Sequence, residues 1–345
     1  MKKSFLLALS LFSTIVSFSQ IGGQGAYEFQ NVTFSGRAAA LGGELVSWNN
    51  NDVQLVHHNP STLSSVEKGK MGLSFVDYYS DIKFSQLFYN IGETKWGSFG
   101  GGVSMINYGD FVRAEANGVV TGEFSANDYM IHLNWSKKID SLFSVGVDFK
   151  NIFSQYDVYR SYGMAVDLGA SYFNPDKELG IGLVVNNLGS QITSYSGTQE
   201  SVQPRIHLGF SKKLAHAPFR IHITAHDLQK LDISYEDPIN PPATVDPLTN
   251  EPIEPKKNIG DKILRHANIG VEFVPMKNFN LRFGYNYQRQ KEMRIANRAG
   301  LTGFSFGVGI KVKRFYIDYG RAKYHLSGAT NHFTISTNLN SFFIK

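Results

Sequence analysis

Apolar and polar residues alternate over most of this chain, and the stretch from His266 to Tyr287 shows the pattern most plainly. Ala267, Ile269, Val271 and Phe273 fall on one face, with His266, Asn268, Gly270 and Glu272 on the other. After a short turn around Val274–Asn278, the residues Phe279, Leu281, Phe283, Tyr285 and Tyr287 oppose Asn280, Arg282, Gly284 and Asn286. Side chains point alternately to the two faces of a strand, so this is a β-hairpin with one apolar and one polar surface. The unit recurs from residue 71 onward. Strands are predicted to begin near Met71, Lys83, Gly97, Ser125, Phe143, Tyr162, Leu179, Arg205, Phe219, His266, Phe279, Thr302, Phe315 and His332. About 14 segments at this spacing suit ~10-residue membrane strands separated by turns.

The lengths of the connections sharpen the reading. Those after even-numbered strands are short: Gly92–Lys95, Lys137–Ser141, Asn174–Glu178, Lys212–Pro218, Pro275–Asn278 and Val312–Arg314. Those after odd-numbered strands read as long: Arg113–Glu123, Leu188–Val202, Leu231–Leu264, Arg289–Gly300 and Arg321–Asn331, with only the one near Ser80–Asp81 plainly short. Outer-membrane barrels have short periplasmic turns and long outer loops, and a soluble sandwich has no reason for such phasing. The fold class expected is all-β: a transmembrane antiparallel β-barrel of about 14 strands, closed by a last strand near the C-terminus because an open edge in lipid leaves backbone groups unsatisfied.

The N-terminal residues differ. Lys2 and Lys3, the apolar run Phe5–Val16 and the small residues Ser17 and Ser19 form a secretory signal over residues 1–19. Residues 20–70 are rich in small and loop-forming residues, with a short helix expected at Pro60–Ser64 behind an Asn59 cap. That segment reads as too polar and too short to make a core of its own. It is expected to fold as a plug, or hatch, inside the lumen of the barrel formed by residues 71–345.

Composition narrows the chemistry. The 345 residues carry 18% charged and 13% aromatic residues, no cysteine and a net charge of +5. Disulfides, thiolate metal sites and cysteine nucleophiles are therefore excluded, and no basic run is dense enough to argue for nucleic acid. The mean hydropathy of −0.20 is compatible with a barrel, because alternating strands average out. Arg220, His222, Thr224 and His226 share one polar strand face, as do Arg205 and His207, and the economical reading is a hydrogen-bonded lumen lining. His57 and His58, adjacent in the chain, cannot easily face one ion and read as plug packing. The glycines at 100–102 and 22–25 lack the lysine–serine pair of a phosphate loop. Gly307 and Gly309 read as room for the plug or relief of strand curvature. Trp96 and Trp135 lie near strand ends, where an interfacial aromatic belt would put them. No catalytic residue, cofactor or metal site is expected.

Several strings resemble the PorQ family of type IX secretion outer-membrane proteins. They are Gly25-Ala26-Tyr27-Glu28-Phe29, Arg37-Ala38-Ala39-Ala40-Leu41-Gly42-Gly43, His58-Asn59-Pro60, Asp77-Tyr78-Tyr79-Ser80-Asp81-Ile82, Asn107-Tyr108-Gly109-Asp110-Phe111 and Gly122–Tyr129. The Ala-Ala-Leu-Gly-Gly and Asn-Pro pair is shared with barrels similar to PorV and the long-chain fatty-acid transporter. The resemblance implies a non-enzymatic outer-membrane barrel of the attachment complex that anchors secreted cargo to lipopolysaccharide. There it would hold a PorZ-like surface protein beside PorU-like and PorV-like components. The proline-rich loop carrying Asp237, Pro238, Pro241, Pro242, Asp246, Pro247, Pro252 and Pro255 is the candidate outer docking loop. The alternative is an outer-membrane transporter of hydrophobic small molecules, which predicts a continuous apolar pocket near Phe29, Phe34 and Leu41.

Overall fold

In the computed structural model, which describes residues 25–48, 51–234, 258–293, 300–325 and 328–343, fourteen strands close into one antiparallel barrel. The first six are β1 (Lys70–Asp77), β2 (Lys83–Thr94), β3 (Gly97–Ala114), β4 (Val120–Lys138), β5 (Phe143–Tyr156) and β6 (Tyr159–Asn174). There follow β7 (Leu179–Thr193), β8 (Arg205–Lys213), β9 (Phe219–Ala225), β10 (Ala267–Met276) and β11 (Phe279–Asn286). The last three are β12 (Phe304–Val312), β13 (Phe315–His325) and β14 (Gly328–Asn338). Each strand pairs with its sequence neighbours, and β14 returns to β1 with Lys70 opposite Asn338, so no edge is left open. The predicted leader and the whole of the loop from Asp237 to Pro255 lie outside the described residues.

Burial is the reverse of a soluble domain's. Leu73, Phe75, Leu87, Leu133, Phe283, Phe306 and Ile335 are exposed on the outer face, while Ser74, Gln86, His132, Asp148, Arg282 and Thr334 are buried on the inner one. Such an outer surface is at home only in lipid, where a closed ladder is the one sheet that leaves no backbone group unpaired. No helix among the described residues is long and apolar enough to cross a membrane, so the crossing is made by strands. Trp96, exposed in the β2–β3 turn, accepts at its carbonyl from Trp135 Nε1 at 3.0 Å, and together they mark the rim at the short-turn end.

The structure corrects two expectations. The connection after β3, expected to be long, is a tight hairpin, and the one after β13 spans no more than two residues; the one after β5, for which no length was expected, is a hairpin as well. Pairing persists to Ala114 opposite Val120, to Tyr156 opposite Tyr159 and to His325 opposite Gly328. Beyond the lipid both faces of a strand meet water, so the sequence loses its alternation there and reads as loop. All even-numbered connections remain short, and the long ones follow only β7, β9 and β11. The second correction concerns residues 25–69, which do make a small core. Ala38, Leu41, Leu45, Trp48 and Leu55 cluster together, with Phe173 of the wall packed against them. Each fully buried apolar side chain of this kind contributes roughly 1.5–3 kcal/mol.

Candidate functional site

Three short helical turns and one α-helix shape the plug. Residues Glu28–Asn31, Val53–His57 and Pro60–Ser65 form 3₁₀ turns, and α1 spans Gly36–Ala40. Ser35 caps α1 by accepting from the Ala38 amide at 3.3 Å. The helix stops because Gly42 and Gly43 take positive φ values of 102° and 107°, which lets their amides return to the carbonyls of Ala39 and Ala38. The string Arg-Ala-Ala-Ala-Leu-Gly-Gly is thus one helical turn of small residues with its own stop signal. Small residues let α1 lie flat against β12 and β13, where Gly307 faces Ala40, as the reading of that glycine required.

The plug is fixed to the wall by a buried ion cluster centred on Glu272. Arg37 meets this carboxylate with two bonds, Nε to Oε1 and Nη2 to Oε2, each 2.9 Å. From the wall, Arg282 Nε donates to Oε1 at 2.8 Å, and Arg220 Nη1 donates to Oε2 at 2.8 Å. His222 Nε2 lies 3.2 Å from the same oxygen, and Arg282 also reaches Asp318 at 2.5 Å. Bidentate guanidinium–carboxylate pairing fixes orientation as well as distance, so it sets both the depth and the rotation of α1. Arg205 makes a second such pair with Asp227, 2.6 Å for both bonds, beside Glu44 of the plug.

Farther along, Asn59 begins the 3₁₀ turn at Pro60 as expected, its Oδ1 accepting from the Ser61 amide at 3.1 Å. Its Nδ2 donates to the Val46 carbonyl at 2.7 Å, tying two parts of the plug together. Asn59→Ala should therefore lower the stability of the seated plug by about 1–2 kcal/mol, read as earlier protease cleavage within residues 25–69 on heating.

Nearer the long-loop end, Tyr27 Oη lies 2.5 Å from Ser161 Oγ, and Phe29 packs edge-on against Tyr27. Phe34 joins them in an apolar cluster with Val76, Phe84, Ile106, Met130 and Ile152 of the wall. Glu28 is exposed and takes a hydrogen bond from Asn31. Leu41 belongs to the separate cluster inside the plug, so the continuous apolar pocket around Phe29, Phe34 and Leu41 is replaced by two packed clusters.

His57 and His58 are both buried in the plug, and His57 stacks edge-on against Phe34 and His132. Burial holds both imidazoles below their usual range; His132, His58 and Lys150 push His57 further the same way, while Glu44 opposes the shift at His58. The sign follows from linkage. A depressed value in the seated plug means that seating is strongest above about pH 6.5 and weakens as pH falls toward the seated value, by up to ~tenfold per pH unit per histidine. Protease sensitivity of the plug should rise between pH 7 and pH 5, and less so in His57→Phe.

A further constellation, at positions where no catalytic residue was expected, joins a serine, a histidine and an aspartate of the wall. Ser104 Oγ lies 3.0 Å from His132 Nε2, and His132 Nδ1 lies 2.7 Å from Asp148 Oδ2. This is the order of nucleophile, base and orienter. All three are buried in the wall, Gln86 Nε2 donates to the serine at 2.9 Å, and the plug ring His57 and the wall ring Phe88 pack against the histidine. The β3 amides around Ser104 belong to the ladder with β2 and β4, leaving no donor pair for an oxyanion. The arrangement satisfies polar groups in the wall. It offers a substrate no room.

No family model matches the chain, and no curated protein matches it. Solved structures do. The Ralstonia pickettii toluene transporter TbuX superposes with a TM-score of 0.51 at 12% identity, over 90% of this chain and 99% of that one. A deletion mutant of the TodX monoaromatic hydrocarbon channel gives 0.50 at 14%, over 90% and 98%. The likeness is one of fold. It is the fold of a closed outer-membrane barrel, and together with the lipid-facing exterior it places the chain in the outer membrane. The resemblance to the PorQ family finds no matching family model.

Glu272, which faces Arg282 across the paired strands β10 and β11, is the partner that the sequence pattern did not assign to Arg37. The signal was present: an acidic residue and a basic one on the polar faces of paired strands, in a chain whose plug carries an arginine.

Proposed function

We propose that this protein is a closed, non-enzymatic outer-membrane platform that holds a surface partner at its outer rim. This is the role the PorQ-like strings imply, with a PorZ-like protein held beside PorU-like and PorV-like components near lipopolysaccharide. The observation that carries the reading is the bidentate lock between Arg37 and Glu272, buried inside a closed barrel. A plug held this way inside a closed barrel suits a fixed support better than a conduit. The β3–β4 hairpin gives the support a grip, since Phe111, Val112, Val119 and Val120 stand exposed at its outer end. The test is affinity isolation of a tagged chain from solubilised outer membranes, followed by mass spectrometry. Recovery of a large surface protein, lost when residues 111–123 are replaced by a two-residue turn or when 237–261 are deleted, supports the platform. A lone barrel carrying lipophilic small molecules overturns it.

Comparison with solved structures favours a second reading, uptake of hydrophobic small molecules, because TbuX is a toluene transporter and TodX a monoaromatic hydrocarbon channel. The apolar cluster around Phe34, where the plug meets the inner wall, supports it too. On this reading Tyr27, Phe29 and Phe34 occupy the ligand's place until the plug moves. Uptake of labelled toluene by cells expressing the chain, against cells expressing Phe34→Arg, decides it; equal uptake with and without the chain removes the transport reading.

A further inference from the structure

At the short-turn end the plug and the wall of β9–β14 stand apart around a cavity of about 520 Å³. Eight Lys and Arg residues line it against three Asp and Glu. Three of the cations, Arg37, Arg220 and Arg282, are already engaged by Glu272. The other five are Lys70, Lys277, Lys311, Lys313 and Arg314, and none of them forms an ion pair among the described residues.

Two observations set this apart from an ordinary charged rim. Lys70 is only 7% accessible, and although Asp52, Glu67 and Asp318 share the cavity with it, none reaches ion-pair distance; its ammonium lies 5.7 Å from the Tyr316 ring. Lys311 approaches the same ring at 5.8 Å, so two ammonium groups are gathered at one aromatic ring. Like charges brought together in a partly desolvated cleft repel, and an anion between them removes that cost. At the cavity's inner margin, Arg220 Nε is buried without a hydrogen-bond partner. The volume is that of a small-ligand site.

We propose that this cavity binds a phosphate-bearing anion entering from the short-turn, periplasmic side. A phosphate group carries more negative charge and more acceptor oxygens than a single carboxylate, which suits a cavity where four lysine ammoniums act as point charges and Arg314 adds a guanidinium fork. The floor is built by Arg37, Trp48 and Asp52 of the plug, so the bound anion also braces the seated plug.

The experiment is calorimetric titration of inorganic pyrophosphate into the full-length barrel in nanodiscs of zwitterionic lipid. Binding is expected, weakening steeply as sodium chloride is raised. Lys70→Gln should weaken it about tenfold, the loss of one charge-assisted contact. Because Lys70 is buried, the exposed pair Lys277→Gln with Lys311→Gln is a second variant that leaves folding intact and should also weaken binding about tenfold. Lys137→Gln with Lys138→Gln, at the same end but outside the cavity, should bind as the parent does. Nanodiscs containing phosphatidylglycerol separate the sources. Competition with pyrophosphate identifies a lipid headgroup as the occupant, and its absence identifies a soluble phosphate ester. No binding in zwitterionic nanodiscs overturns the proposal, as does equal binding by the parent and both cavity variants.

Discussion

Glu272→Gln should release the plug from the wall. The substitution keeps size and shape but leaves Arg37, Arg220 and Arg282 facing a neutral amide in a site where Glu272 is wholly buried. Removing one partner from a buried ion cluster typically costs roughly 3–5 kcal/mol, because the remaining charges stay desolvated and uncompensated. Arg282 keeps Asp318, and Arg37 keeps Asp52 at 3.8 Å, so the barrel ladder is not expected to open. The loss should fall on seating of residues 25–69. Single-channel recording in planar bilayers should show a conducting state that the parent lacks, and trypsin should cut near Arg37. A variant as closed and as protease-resistant as the parent would show that the apolar clusters alone hold the plug.

Gly270→Val attacks the same interface through shape. A Cβ at this inward-facing position of β10 would lie 2.9 Å from both Cβ and Cδ2 of Leu41 and 3.0 Å from its carbonyl oxygen. Contacts that short require the plug backbone just after α1 to move, and overpacking of this kind costs typically 1–3 kcal/mol or more. Gly209 meets Val46 in the same way, 2.7 Å from Cγ2, so the wall admits the plug at two separate points only because it lacks side chains there. Gly270→Val should yield a normally assembled barrel whose plug is protease-sensitive. The neighbouring substitution Val271→Leu points to lipid and should leave the plug seated. Equal protection of both variants would place the seat elsewhere.

Much of the architecture was legible because lipid imposes a simple rule on a strand. With the outside apolar and the inside polar, period-two alternation marks nearly every crossing, and the starts of β2, β3, β5, β7, β8, β9, β11 and β13 fall where the pattern puts them. β4 and β14 begin five and four residues earlier than the pattern suggests, at Val120 and Gly328; the outer end of β4 is exposed on both faces, so alternation fails there. The cap at Asn59 was legible for a local reason: Asn before Pro fixes the start of a helical turn from adjacent atoms alone.

The site was less legible because its contacts are long in sequence. Arg37 and Glu272 are 235 positions apart, and nothing local in either neighbourhood names the other. Ser104, His132 and Asp148 likewise come together only through the register of β3, β4 and β5. Alone, the chain determined that it must be an all-β barrel crossing lipid and which face of each strand meets the membrane. Only the tertiary structure decided which charges meet inside, where the plug finds glycine instead of side chain, and where the lysines of the cavity gather. The division has one physical cause. Solvent acts on every residue separately and writes its preference into the local pattern, whereas a buried contact exists only after the barrel closes and brings distant residues to the same depth.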